Sequence, residues 1–332
     1  VSGPSRVARF GNTELPPEQE AALRRARRLE WVSLAFLTSG VVVVYLVMGN
    51  SQAMKVAWIE DLLSLIPPLA FLLATRRAGR RPSVSHPYGH HRVVGSAHLT
   101  AAVALLSMGL FLVFDSGSGL LAGEHPPIGT VQLFGQTVWT GWLMIAAMVY
   151  TGVFPVILGR RKLPLARDLH DKVLYADADM NKADWMTAAA AIVGVLGIAY
   201  GVWWLDAVAA LVIAGSILHD GVSQLRGAVR DLLDGEARTF DDSDVHPVVD
   251  DILEAAHSRA WVDRAGCRVR DQGHVFHTEV FVVPVGPLGA EQCDELAEAI
   301  GRLDWKLDDV VVAPVGALPP GVRTRPRAAT ES

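Results

Sequence analysis

The chain has 332 residues, 51% of them apolar and 20% charged, with a net charge of −5 and a mean hydropathy of +0.29. Such hydropathy exceeds that of ordinary soluble domains, and the acidic balance supplies no basic footprint, so no nucleic-acid partner is expected. Its two cysteines, Cys267 and Cys293, form no CxxC, which excludes a zinc knuckle or a redox pair and leaves buried structural thiols.

Residues 1–17 are mixed polar, with Pro16 and Pro17, and read as a loose tail. Residues 18–30 (EQEAALRRARRLE) read as a basic lead-in helix, and this polar start is not a cleavable signal peptide. Apolar runs follow at Trp31–Gly49, Ala53–Ala74, Val94–Phe114, Val138–Leu158, Asp184–Ala199 and Trp203–Leu218. Each is near the ~20 residues a helix needs to cross ~30 Å of hydrocarbon, so six transmembrane helices are expected. The fifth continues its helical pattern back through Asp177, and the sixth runs on as a polar helix to Gly235.

From about Thr239 the pattern changes to helix, strand, strand, helix, strand, expected as a small α+β domain of ferredoxin-like type over 239–316. The membrane α-helical domain then spans 31–235, and the Pro- and Arg-rich residues 317–332 read as disordered.

Arginines and lysines sit before span one, between spans two and three and four and five, and after span six; the opposite loops at 50–52, 115–132 and 200–201 carry none. By the positive-inside rule both termini are cytoplasmic. Multi-pass insertion in the plasma membrane is the expected location.

An acid at mid-bilayer depth costs about 2.5–3.5 kcal/mol on insertion scales and marks an ion or proton path. Span two carries Glu60 and Asp61 side by side, with Ser64 one turn from Glu60. On span five, Asp177, Met180, Asn181 and Asp184 share one helical face, while Asp179 points to the other side. Asp177 and Asn181 also suit a capping role near the membrane surface. Pro67 and Pro68 deprive the carbonyls of Leu63 and Ser64 of helical donors, which fits either a packing kink or a carbonyl ligand.

Between spans two and three, SHPYGHHR gathers His86, His90 and His91, imidazoles suited to zinc, iron or copper. In the tail, His277 and Glu279 share a strand face beyond His274, which reads as sheet-surface polarity; His246 and His257 read as solvent-facing or interfacial. No Walker loop, GxSxG elbow or HExxH pair is present, so no enzyme and no ATP-driven pump is expected.

These features resemble the cation diffusion facilitators from about Trp31 to Val315. The likeness is carried by the six spans, HPYGHHR at His86–Arg92, LYADADMNKADWMTA at Leu174–Ala188, WWLDAVAALVIA at Trp203–Ala214, LLDG at Leu232–Gly235 and the αββαβ tail. The resemblance implies a homodimer that exports a divalent metal of the zinc, iron or manganese class against protons, with no prosthetic group. It places the transport ligands at Glu60 and Ser64 and at Met180 and Asp184, where Ser64 and Met180 depart from the family's acid and imidazole. Asp61, Asp177 or Asn181 would then complete an oxygen-rich set, which leans toward Mn²⁺ or Fe²⁺, while a thioether pulls the other way.

The resemblance also implies a second, regulatory site at His86 and His90, with Ser83 in place of the usual acid. An Arg92–Asp234 ion pair and a dimerising, metal-sensing tail domain complete it. A scaffold or sensor that has lost transport is the alternative, and a passive channel a third reading.

Overall fold

A computed structural model describes residues 15–48, 58, 61–80, 83–123, 129–133, 136–202, 204–273 and 275–325. The chain divides into two units. One comprises Ala21–Ala74 and Ser96–Ala228, and the other holds the remaining described residues.

The helical unit draws on α1 (Pro17–Met48), α2 (Ile66–Ala78), α3 (Val93–Ala122), α4 (Thr140–Leu169), α5 (Lys172–Ala199) and α6 (Leu205–Leu232). Among the described residues, three helices are long and apolar enough to cross a membrane: Pro17–Val47, Val93–Ala122 and Thr140–Leu169. The lead-in segment and span one form a single continuous helix, α1. Before α4, Thr130–Leu133 (β1) and Gln136–Trp139 (β2) pair as an antiparallel hairpin that the apolar-run reading had not set apart.

Glycines set the helix spacing. A Cβ on Gly152 of α4 would stand 2.8 Å from Ala188 Cβ of α5, and one on Gly221 of α6 would stand 3.0 Å from the Leu106 backbone of α3. Close approach through small residues is how helices associate where lipid removes the hydrophobic drive between them. Trp31, Leu46, Phe114, Trp142 and Val212 stay exposed on the outside, as lipid-facing side chains do.

Span two is broken. Residues 61–63 are helical, Ser64 and Leu65 form a turn, and α2 restarts at Ile66. Pro67 and Pro68 fall in the first turn of α2, where N–H groups have no intrahelical acceptor, so both are tolerated. Their position favours the break over a smooth kink.

The tail fold is α7 (Val248–His257), β3 (Val262–Asp271), β4 (Phe276–Pro284), α8 (Ala290–Ile300), β5 (Leu307–Pro314) and β6 (Arg323–Thr324), with sheet order β5-β4-β3-β6. β3 and β4 are antiparallel; β4 and β5 are parallel, joined through α8. Its core holds Ile252, Leu253, Val262, Phe276, Val280, Leu296 and Ile300. Cys267 lies in that core, where burial pushes its thiol up to about 12 and leaves it an inert apolar group.

The expected disorder from residue 317 is corrected for 317–325. Arg323 and Thr324 pair with Cys267 and Gly266, and Arg323 Nη1 lies 3.1 Å from Glu236 Oε2. Edge-strand hydrogen bonds and ion pairs, rather than apolar burial, hold this segment, which is why its composition hid it. Residues 326–332 lie outside the described residues.

His246 gives this unit a pH response. Its Nδ1 accepts from the Val248 N–H at 3.3 Å, at the entry to α7. Burial holds the imidazole below its usual range, against the opposing pull of Asp304. The unfolded chain therefore takes the proton first, so the contribution is full above about pH 6.5 and is lost as pH falls below it. Hydrogen exchange, corrected for intrinsic rate, is expected to show α7 losing protection between pH 7 and 5. His246→Asn, which keeps an acceptor without a titrating ring, flattens that response.

Candidate metal centre

Span five is positioned by a tight α4–α5 hairpin. His170 adopts a left-handed conformation (φ 47°) that closes α4, and Asp171 Oδ1 accepts from the Val173 and Leu174 N–H groups to open α5. An Asp at this position satisfies donors that have no helical partner. The hairpin brings Lys162 of α4 against Asp177 of α5.

Lys162 is fully buried. Its Nζ donates to Asp177 Oδ2 and, at 3.1 Å, to Glu30 Oε2 of α1, and both acids are buried as well. Asn181 donates from Nδ2 to the Asp177 carbonyl at 2.7 Å. Asp177, expected at the transport site, thus belongs to a lysine-centred cluster in which Lys162 and Glu30 were missed, while the Asn181 Oδ1 is buried with no hydrogen-bond partner among the described residues. Lys162 sits in the basic run RRKLPLAR, where nothing marks which cation turns inward. The available signal was Glu30, a lone acid at the edge of span one.

Further along α5, Asp184 meets span two. Ser64 Oγ donates to Asp184 Oδ1 at 2.6 Å, from the turn that breaks that span. Asp61 and Asp184 line one cavity together with Phe36, Gly40, Met108 and Thr151. Asp61 Oδ2 is buried without a hydrogen-bond partner among the described residues. Met180 instead packs among Leu105, Met108, Ala183 and Ile217. Glu60 lies outside the described residues. The structure therefore brings Asp61 and Asp184 to one cavity and Ser64 to Asp184, while Asp177 pairs with Lys162 and Met180 is buried among apolar side chains.

In the other unit, the loop histidines are close. The His86 and His90 rings stack at 4.4 Å, His86 Nδ1 lies 3.1 Å from Ser85 Oγ, and His90 Nδ1 is buried without a partner. Ser83 and Ser85 hydroxyls are 3.1 Å apart beside them. Arg92 pairs with Asp234, as the resemblance implied, and Arg270 Nη1 reaches the same Asp234 Oδ1 at 3.3 Å. Asp234 takes a left-handed backbone (φ 59°) just past α6.

His277 Nδ1–H donates to Asp309 Oδ2 at 2.8 Å, and the ring faces Tyr88 edge-on at 5.8 Å. His257 Nδ1 lies 2.8 Å from the Leu253 carbonyl, which makes it a helix-end group; His274 lies outside the described residues. Among the described residues no three His, Cys, Asp or Glu side chains converge as a closed metal site.

Two acids on one cavity, one of them held by a serine, in a bundle that shows its apolar side outward, fit an integral membrane protein. Residues 30–233 match the family model of the cation efflux transmembrane domain, and the chain belongs to the cation efflux family. It is a metal-cation transporter and not an enzyme.

The chain is 23% identical over 287 residues to the manganese efflux system protein MneS of Bacillus subtilis strain 168, covering 86% of this chain and 92% of that one. It is 22% identical over 265 residues to the uncharacterized transporter YdbO of the same organism (78% and 84%). Mitochondrial metal transporter 2 of Saccharomyces cerevisiae is 23% identical over 228 residues (62% and 46%).

Proposed function

We propose that the chain exports a divalent metal from the cytoplasm by proton antiport, as a homodimer in the plasma membrane, with both termini cytoplasmic. The observation that carries this reading is Asp184 on one cavity with Asp61, its carboxylate held by Ser64. Six spans would cross the bilayer: α1, the broken segment ending in α2, and α3 to α6. A discontinuous helix at a membrane site can present side-chain and main-chain oxygens to an ion.

Asp184, Asp61 and Glu60 are the charged ligands of this reading, with Ser64 orienting the Asp184 carboxylate at the site. Asp177 serves the Lys162 cluster, Met180 serves packing, and Asn181 keeps a buried Oδ1 as a further oxygen donor. Oxygen donors without imidazole favour Mn²⁺ or Fe²⁺ over Zn²⁺, in keeping with the manganese named for one relative. Carboxylates suit exchange because a proton and a metal compete for the same oxygens. His86 and His90 form a second, regulatory metal site, and the tail is a ferredoxin-like dimerisation domain.

The test is flux in proteoliposomes carrying a pH gradient, screened with Mn²⁺, Fe²⁺, Zn²⁺, Co²⁺ and Cd²⁺. Metal movement opposed to a measured proton movement is expected for one ion. No flux of any ion from folded dimers points to a sensor or scaffold, and current driven by potential without proton exchange points to a channel.

A further inference from the structure

The cavity shared by Asp61 and Asp184 is small. Its volume is about 30 Å³. One water needs ~10–15 Å³, so the space takes about two or three waters. A divalent ion inside a full shell of about six waters does not fit. An ion that reaches Asp184 therefore leaves most of its water behind, and protein oxygens must stand in for what it loses.

Four lining residues carry side-chain oxygens: Asp61, Asp184, Thr151 and Thr187. The other lining side chains are alkyl, aromatic or thioether, such as Phe36, Leu37, Met108 and Ala188, and none of these replaces water on a hard ion. The two threonines differ. Thr151 Oγ1 is shared between the Ala147 and Met148 carbonyls at 3.2 and 3.4 Å, and its methyl is turned to α1, 3.2 Å from where a Cβ on Gly40 would stand. Thr187 Oγ1 donates to the Ala183 carbonyl at 3.0 Å. That bond uses the hydroxyl's one hydrogen, so what the oxygen has left is lone pairs, which suit a cation. Thr187 stands three residues beyond Asp184 on α5, on the same helical face. The next residue, Ala188, is seated against Gly152 of α4, which fixes the backbone here.

We infer that Thr187 is a neutral oxygen ligand beside Asp184, and that this cavity selects a divalent ion that sheds water readily, such as Mn²⁺ or Fe²⁺, over Mg²⁺. The inference rests on Asp184 and Asp61 being charged ligands, as proposed above. Charge cannot tell these ions apart, but room for water can. Mg²⁺ gives up its waters reluctantly and usually keeps several of them, which this cavity does not hold.

The test uses the full chain in detergent, titrated with Mn²⁺ with and without excess Mg²⁺, and read by loss of the free-ion electron paramagnetic resonance signal. The unaltered protein is expected to bind Mn²⁺ at a site that Asp184→Asn removes and that Mg²⁺ does not contest. Thr187→Val keeps the shape without the oxygen and should weaken that binding at least about tenfold. Thr187→Ser keeps the oxygen and should keep the affinity. Thr187→Ala leaves room for a water in the hydroxyl's place, so Mn²⁺ stays bound and Mg²⁺ now competes. A threonine that only bonds its own helix moves neither readout. Unchanged Mn²⁺ affinity in Thr187→Val, or no Mg²⁺ competition in Thr187→Ala, overturns the inference and leaves Asp184 as a ligand. No Mn²⁺ binding, or binding that Asp184→Asn leaves intact, overturns the reading of Asp184 and the inference with it.

Discussion

Replacing Lys162 with methionine is expected to destabilise the helical unit by about 3–5 kcal/mol, the usual cost of removing one partner from a buried ion cluster. Lys162, Glu30 and Asp177 are all buried, so water does not screen the two acids left behind. The melting temperature of the detergent-solubilised protein should fall by roughly 10 °C. Removing the charges together, as Lys162→Met with Glu30→Gln and Asp177→Asn, should recover much of the loss, because the penalty lies in the unpaired acids rather than in the missing lysine. A single Lys162→Met variant that melts with the wild type would show that the cluster contributes nothing. Loss of stability in Lys162→Met with no recovery in the triple variant would instead assign the effect to packing of the lysine stem.

Asp184→Asn is expected to abolish metal flux, a loss of at least about a hundredfold, while the protein folds and melts as before. The neutral amide keeps the size and can still take the Ser64 hydrogen bond, but it offers the ion no charge. Ser64→Ala should be milder, weakening the apparent metal affinity by about 10–100-fold with a smaller effect on maximal rate. A hydroxyl that orients a ligand acts on binding through that ligand. Equal, small losses in both variants would move the ligand role away from Asp184.

The sequence carried the long elements well, because apolar runs and 3.6-residue spacing depend on local composition alone. Asp184 was legible for the same reason: a carboxylate inside an apolar helix is a local anomaly. Its grouping with Asp61 and Ser64 was half legible, since helical phase places residues on a face without saying which neighbour that face meets. Phase alone put Asp177, Met180, Asn181 and Asp184 together. Packing then divided them, sending Asp177 to Lys162, Met180 to Leu105 and Met108, and Asp184 to Ser64. The basic run that hides Lys162 reads as a cytoplasmic loop, yet α4 continues through it to Leu169 despite Pro155 and Pro164. The hairpin at 130–139 and the two-residue β6 were illegible because short polar strands are defined by their partners.

The glycine contact between α4 and α5 bears on how such a molecule could move. With no side chain at Gly152, Ala188 seats close against α4, and Met144 and Met148 of α4 pack among Ala188, Ile192 and Val195 of α5. The short His170–Asp171 hinge and the Lys162–Asp177 pair fasten the same two helices. They behave as one plank, and Asp184 rides on it. The rest of that cavity is lined by Phe36 and Gly40 of α1 and by Asp61, just before the helix is interrupted at Ser64, so on the proposed reading any opening of a path to Asp184 would involve these less tightly fastened elements.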